Sequence, residues 1–595
     1  MRLPSPLPAV AGAALALAAS SLAAQPAAFV EEIDVSLVDV EVVVTDRQGK
    51  PVTGLMRDDF ELRYDGKRVA ITHFAAIEGG RPLPPAADGA GDAVPAPLAS
   101  ARAGRLNLVI YLDRTYLEPG EIEAVVAALR GFLRRGLRPG DRVMLVTANR
   151  SLTIVQPLTS LPELALAQLD ELPPSAPRSR AAGDFFALLA AIERQVQGGP
   201  DVLARERNSA PQTLKSQIDG FAVETHRELE QTTHQLHRLI PALAGLPGRT
   251  AILYVGGTLP ADAGQALYKA WRSAFGPGSR YQISRGAGRQ DDSQSAFITL
   301  GGPVNEIDAS ALFEAVAARA NDFGITLHAV DAGGLRGQGF LASRGHESTR
   351  QGGGDALIGA AFGASQRVGN PQILAMMAET TGGVAIKGSR DFHNALDSLA
   401  AQLRSYYTLG FPPPSEARAE RHRLEVRLKR RHKGLEVRHR RSFRLRDADH
   451  QAADRAVTAL VLGATDNPLS VELAAAAARP IAGRDDVVRL PLSILVPVAS
   501  LTFVPDGESG YRAQMSVYLT SGGLAQGATQ VQKAVVPVAF AAGELEGALL
   551  RTIEYTLELP VPAGSAAVAA AVRDDYRPLT ATVVLPLAPP QAGDR

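Results

Sequence analysis

The sequence predicts an α/β protein in which a doubly wound, mainly parallel sheet is flanked by β-sandwich-like modules. Three observations carry this expectation. Four apolar runs, at 106–113, 141–148, 250–257 and 325–331, are separated by segments of helical period, the rhythm of parallel strands joined by crossover helices. Residues 34–74 instead alternate apolar and polar positions at period two. Beyond position 451 apolar stretches recur between Pro and Gly turns, the spacing of a β-sandwich.

The 595 residues are 46% hydrophobic, enough for several cores, and 62 Lys and Arg face 62 Asp and Glu. That balance leaves no global field to draw nucleic acid or an acidic partner. The chain opens on Met1-Arg2-Leu3, an apolar stretch over 9–19 and the small residues Ser21, Ala23 and Ala24. This is the pattern of a secretory signal peptide over 1–24, with cleavage after Ala23 or Ala24. The stretch is too short to span a bilayer, and no later segment reaches the required apolar length, so no membrane span is expected. The absence of cysteine excludes disulfides, thiolate metal sites and a lipid-modified cysteine. The expected destination is the periplasm or the extracellular space.

In chain order, 34–45 reads as a strand and Asp46-Arg47-Gln48-Gly49-Lys50-Pro51 as a turn. A second strand closes on Asp65-Gly66, with 69–74 as its expected hairpin partner, making an N-terminal β module over 30–78. Asp46, Asp59 and Asp65 read as turn formers rather than calcium ligands. The Pro-, Ala- and Gly-rich 79–104 reads as a linker. The α/β domain follows over 105–411, its first helix near 121–135 stopped by Gly136. Residues 152–157 are expected at the sheet edge, and further helices near 161–171, 184–196, 213–243, 309–323 and 373–381. Loop insertions are expected near 264–302, carrying the sole Trp271, and near 333–369. Gly352-Gly353-Gly354 lacks the Lys-Ser/Thr that a phosphate loop requires.

Residues 404–411 are predicted to leave the last helix as a strand. A basic β-hairpin over 412–446 then turns on His432-Lys433-Gly434, with Leu424, Val426, Leu428, Leu435 and Val437 inward. Between 416 and 446 stand 13 Lys and Arg against 4 Glu. Positive charge on an edge hairpin deters strand addition, and that is the favoured reading; contact with anionic polysaccharide is the alternative. A C-terminal β-sandwich-like domain over 447–592 starts with a helix near 452–462. Its strands are expected near 487–501, 511–519, 531–540, 551–559, 567–573 and 580–587.

Three motifs carry a family resemblance: Val42-Val43-Val44-Thr45-Asp46-Arg47-Gln48-Gly49-Lys50-Pro51-Val52 with Asp59-Phe60 downstream; the run from Leu108 to Asp113; and Ala378-Glu379-Thr380-Thr381-Gly382-Gly383 leading to Leu403-Arg404-Ser405-Tyr406-Tyr407-Thr408-Leu409-Gly410-Phe411. Over about residues 30–443 the chain thereby resembles the von Willebrand factor A-related domain family of the acidobacterial type. The resemblance implies a von Willebrand factor A-like, Rossmann-like sheet. It also implies a metal-ion-dependent adhesion site built from an Asp-x-Ser-x-Ser loop, a distant Thr and a second Asp. A hard Mg²⁺ ion wants about six oxygen ligands, which such a set supplies. Here the loop reads Asp113-Arg114-Thr115-Tyr116-Leu117: Asp113 matches, Thr115 offers a hydroxyl in place of Ser, and Leu117 cannot ligate. Gly256 and Gly257 stand where the second Asp belongs, and Thr258 and Asp184 are the candidate stand-ins.

The expected site is therefore a degenerate metal site, Asp113 and Thr115, with Mg²⁺ weakly supported and no other cofactor. The expected partner surface is Asp113, Arg114, Tyr116, Gly256, Gly257 and Thr258, and the partner an extracytoplasmic protein. His226, His234 and His237 lack the spacing of a zinc motif, and Asp291-Asp292 and Asp574-Asp575 lie in polar or turn contexts. No nucleophile elbow, phosphate loop or dinucleotide fingerprint is present. The function expected is non-enzymatic protein binding of an adhesion type. The alternatives are a metal-dependent cell-envelope hydrolase using Asp113, and a scaffold that binds anionic polysaccharide.

Overall fold

A computed structural model describes residues 38–83, 105–117, 119–149, 151–172, 181–197, 204–257, 259–261, 263–275, 309–332, 371–387, 392–413, 420–429, 432, 434–506, 510–523 and 526–587. It is a mixed α/β structure: one mainly parallel sheet and several antiparallel ones. The predicted signal, most of the linker and the insertion over 333–369 lie outside the described residues, as do Asp291-Asp292 and Gly352-Gly353-Gly354.

The N-terminal strands are β1 (Val38–Thr45), β2 (Phe60–Tyr64), β3 (Lys67–Val69), β4 (His73–Glu78) and β5 (Arg81–Pro82). Asp46 forms the expected turn: its Oδ1 accepts from the Gln48 and Lys50 amides, each at 2.9 Å. The parallel sheet comprises β6 (Leu106–Asp113), β7 (Arg142–Ala148), β8 (Leu152–Thr159), β9 (Arg249–Gly256), β10 (Thr326–Asp331) and β11 (Ala385–Lys387). Its spatial order is β11-β10-β9-β6-β7-β8, with β8 antiparallel at the edge. Counted within the sheet this is 3-2-1-4-5-6, a doubly wound order whose reversal lies between β6 and β9. All eight residues of β6 and of β9 are buried, as strands covered on both faces must be.

The helices of the domain are α1 (Pro119–Gly136), α2 (Pro162–Asp170), α3 (Ala181–Gln197), α4 (Ala204–Leu243), α5 (Ala263–Phe275), α6 (Ser310–Asp322), α7 (Pro371–Thr380) and α8 (Phe392–Arg404); α1, α2 and α8 cover one face of the sheet, α4, α6 and α7 the other, and α3 and α5 pack on α4. Period two splits β6 between the two faces. Leu108, Ile110 and Leu112 join the core under α1 and α8, while Val109 and Tyr111 join that under α4, α6 and α7. The expected loop around Trp271 is instead helix α5. Trp271 is buried with Phe185, Phe221, Leu267 and Phe275, and its indole N–H donates to Pro211 O at 2.8 Å. Apolar contact with α3 and α4 holds the segment helical where local pattern alone reads as loop.

After α8 the chain returns to the N-terminal strands through β12 (Tyr406–Phe411), β13 (Arg421–Leu428), β14 (Glu436–His439) and β15 (Ser442–Arg444). The expected basic hairpin does not exist as a unit. β14 pairs with β1 in a sheet ordered β14-β1-β12-β4-β5, whereas β13 lies between β15 and β2 in a sheet ordered β15-β13-β2-β3. Likewise 69–74 is no single hairpin partner of β2: β3 pairs with β2, and β4 with β12. Period-two alternation fixes which side chains face inward but not which strand is the neighbour. Leu424 and Val426 are buried, and Leu428, Leu435 and Val437 pack on the same core.

The two flanking modules meet the start of the strands. Arg249, first residue of β9, lies 2.6 Å from the Glu41 carboxylate, donates to Leu403 O at 2.8 Å and covers the Tyr406 ring at 4.5 Å. Helix α9 (Ala448–Leu462) is capped by Asp447, whose side chain accepts from the His450 amide, and ends at Gly463 with φ 65°. Its Thr458 hydroxyl accepts from the Gly245 amide at 2.9 Å, and Arg446 beside it pairs with Asp454 at 2.6 Å.

Beyond α9 lie β16 (Glu472–Ala475), β17 (Arg479–Ile481), β18 (Arg484–Pro497), β19 (Val504–Asp506), β20 (Gly510–Gly523), β21 (Gly527–Ala528), β22 (Gln532–Ala541), β23 (Thr552–Pro562), β24 (Ala567–Asp574) and β25 (Leu579–Pro586). They make two antiparallel sheets around one apolar core. Asp574 and Asp575 are absorbed structurally, accepting from the Thr502 and Tyr576 amides and from Gln514, Ser516 and Arg573.

Candidate strand-end site

The site is built where β6 and β9 end. Leu112 stands opposite Val255, and Asp331 at the end of β10 opposite Gly256, so Asp113, Gly256 and Asp331 lie in one row across three strands. This is the reversal point of the sheet, where doubly wound proteins hold ligands outside the strands' carboxyl ends.

Asp113 is almost wholly buried, and both of its oxygens are engaged. Oδ2 accepts from the Tyr254 hydroxyl at 2.6 Å, and Oδ1 accepts from the Thr115 amide at 2.9 Å, which closes an Asx turn. Burial pushes the Asp113 carboxyl up; the Tyr254 phenol and the Thr115 amide and hydroxyl pull the other way. The Tyr254 phenol is pushed well up by burial and by the Asp113 charge. Its ring stacks on Tyr111 at 5.5 Å and 18°. The Tyr111 hydroxyl donates to Gln235 Oε1 of α4 at 3.3 Å, and Gln235 Nε2 donates to Asn149 O at 3.2 Å. The loop after β6 is tied to β7 by the Arg114 amide, 2.8 Å from Ala148 O.

The glycines close the crevice. A Cβ on Gly257 would lie 2.1 Å from Tyr116 O, and one on Gly256 would lie 2.9 Å from the Tyr254 ring. The loop leaving β9 thus runs against the loop leaving β6, which only a residue without a side chain permits. Tyr116 is half-buried, its phenol pushed well up by burial and by Glu228 of α4. Leu117, at the position of a third ligand, is buried in the core beside Leu112 and Ile122.

The expected residues are therefore divided. Asp113 and Thr115 come together, but as a carboxylate and the amide that caps it. Asp113, Gly256 and Gly257, expected on a binding surface, are buried, because the last strand residues sit below the rim. Arg114 and Tyr116 are half-buried, Asp184 is exposed on the first turn of α3, and Thr258 lies outside the described residues. Among the described residues no three of His, Asp and Glu converge as metal ligands, and His226 pairs instead with Glu230 at 3.3 Å. The donors among the described residues do not fit a Mg²⁺ ion, which needs about six oxygens around an open position. The sequence pattern that singles out Asp113, an apolar run closing on an aspartate, also describes Asp331, which is buried. Tyr254 carried no such signal, being one of several apolar residues within its run.

No known family's model matches the chain, and no curated protein matches it. Solved structures give partial likenesses, each over 50% of this chain. An aerotolerance-related membrane protein from Bacteroides fragilis is matched over 98% of its length at 10% identity and a TM-score of 0.20. A conserved hypothetical protein, BatB from Bacteroides thetaiotaomicron, is matched over 97% at 12% identity and 0.19. A mutant of the PilB minor pilin from Streptococcus sanguinis is matched over 61% at 9% identity and 0.20. No helix among the described residues is long and apolar enough to cross a membrane.

Proposed function

We propose that this is an exported, non-enzymatic protein of adhesion type, whose von Willebrand factor A-like domain binds another extracytoplasmic protein through the strand-end rim without a metal ion. The observation that carries this reading is the engagement of both Asp113 oxygens by Tyr254 and Thr115. A carboxylate so placed stabilises the rim and is not presented as a base, a nucleophile or a ligand. The rim beside it is formed by the loops after β6 and β9, on which Arg114 and Tyr116 are half-buried.

The test is calorimetric titration of Mg²⁺ and Mn²⁺ into wild type and Asp113→Ala. Equal, negligible heats are expected. Saturable binding by wild type that Asp113→Ala abolishes would overturn the metal-free reading, and substrate turnover lost in the same variant would overturn the non-enzymatic one. Export is checked by sequencing the mature N-terminus, expected just after Ala23 or Ala24.

A further inference from the structure

The sheet ordered β15-β13-β2-β3 has one face in the sandwich core and one facing outward. The inner face carries Phe60, Leu62, Tyr64, Leu424, Val426 and Phe443. The outward positions on these strands are Glu61, Arg63, Arg68, Arg421, Arg423, Glu425, Arg427, Ser442 and Arg444, with no apolar or aromatic residue among them. Six arginines from both ends of the domain share this face. Because β13 is interior, bonded to β2 on one side and β15 on the other, its arginines do not guard an edge against strand addition.

Register makes the clustering costly. Arg63 stands directly opposite Arg68, and Arg421 opposite Arg444, and like charges directly opposite each other destabilise a sheet. Three carboxylates compensate in part. Glu61 accepts from Arg63 at 2.8 Å and Glu425 from Arg427 at 2.7 Å, while Asp322 of α6 accepts from Arg421 at 2.8 Å and lies 4.0 Å from Arg444. Among the described residues no ion pair is formed by Arg68 or Arg423.

We infer that this face is a binding surface for a linear anionic polysaccharide carrying carboxylate or sulfate groups. Guanidinium forks recognise such groups bidentately, and Arg421, Arg423 and Arg427 share the outward face of β13, the first two about 7 Å apart and the third beyond Glu425. The face offers no aromatic ring on which nucleobases stack and no apolar side chain to enter a lipid surface. The inference is independent of the strand-end rim.

The test uses the full-length protein with polygalacturonate and dextran sulfate as probes, neutral dextran as control, and single-stranded DNA and phosphatidylglycerol vesicles as competing classes. Arg68→Ala/Arg423→Ala removes two exposed side chains without breaking an ion pair. Arg479→Ala/Arg489→Ala in the C-terminal sandwich removes the same charge elsewhere. Wild type is expected to bind both anionic polysaccharides with an affinity that falls with salt, and the first variant to lose roughly tenfold while the second is unchanged. Folding is checked by circular dichroism, and Arg68→Lys/Arg423→Lys is expected to recover part of the loss. Absence of binding, equal loss in both alanine pairs, no loss in the first, or binding confined to DNA or vesicles would overturn the proposal.

Discussion

Tyr254→Phe removes one oxygen from the strand-end site and leaves everything else in place, including the ring stacked 5.5 Å from Tyr111. The lost hydroxyl is the donor to Asp113 Oδ2 at 2.6 Å, in a site from which water is excluded. A hydrogen bond to a charged, buried partner contributes about 1.5–3 kcal/mol, and the bared carboxylate oxygen has nothing to replace it. At about 2–4 °C per kcal/mol, the unfolding midpoint of the α/β domain should fall by roughly 3–12 °C at pH 7.5. The pH dependence has a definite sign. Burial raises the Asp113 carboxyl, so the folded state holds its proton to higher pH than the unfolded chain, and ionisation on raising the pH costs stability. Losing the phenol enlarges that cost, so the variant should lag most at neutral pH and least near pH 4. The assay is thermal and urea unfolding followed by circular dichroism across pH 4–8, repeated with Asp113→Asn alone and combined with Tyr254→Phe. Equal stability of wild type and Tyr254→Phe at pH 7.5, or strict additivity of the two substitutions, would refute the assignment of Asp113 to a structural role.

Three further outcomes follow from the same geometry. Gly257→Ala places a Cβ 2.1 Å from Tyr116 O, so the loops after β6 and β9 must part; a loss of roughly 1–3 kcal/mol in urea unfolding is expected, and an unaffected midpoint would show that the loops are not in contact. Thr381→Val strips the hydroxyl that accepts from the Leu327 amide at 2.9 Å and leaves that buried amide unsatisfied, for a loss of about 1–3 kcal/mol that Thr381→Ser should avoid. His328 is held down to about 3 by burial and by the Arg249 and Arg438 charges, so below its unfolded pKa the unfolded chain takes up a proton that the fold refuses. Its contribution is complete above about pH 6.5 and is lost as pH falls toward 3; His328→Asn should flatten the stability profile in that window by about one proton, and parallel profiles would sink the assignment.

Much of the α/β sheet was legible because buried parallel strands are apolar on both faces and their helices keep a 3.6-residue period. The eight buried residues of β6 and the single face of α1 are of this kind. The Thr-Gly-Gly motif was legible as a marker but not as a mechanism. In the fold Thr381 ties the end of α7 to β10, Gly382 takes φ 80° against the His439 backbone, and a Cβ on Gly383 would lie 1.9 Å from Leu327 O. Its function is to let three chain segments touch. What stayed hidden depends on partners distant in sequence: Tyr254 reaching Asp113 on the neighbouring strand, β13 taking β2 as neighbour, and α5 held by α3 and α4. Periodicity states the orientation of a residue, whereas these features depend on register and docking.

The sandwich that carries the arginines is completed only when the α/β domain is in place. Val38 pairs with Phe411, and Tyr64 bonds His422 across 358 positions, so both chain ends of the domain enter one small module. The Asp59–His432 and Asp65–His422 pairs, at 2.7 and 2.9 Å, clasp the β2–β13 ladder at its two ends. Glu41–Arg249 then fastens the module to the start of β9, while Gly256 ends the same strand roughly 23 Å away. Packing at one end of the strands is thereby separated from the rim at the other. The basic residues of 421–444 acquire a coherent face by meeting Arg63 and Arg68 from the opposite end of the chain, so the charged surface belongs to the tertiary fold and not to the basic segment alone.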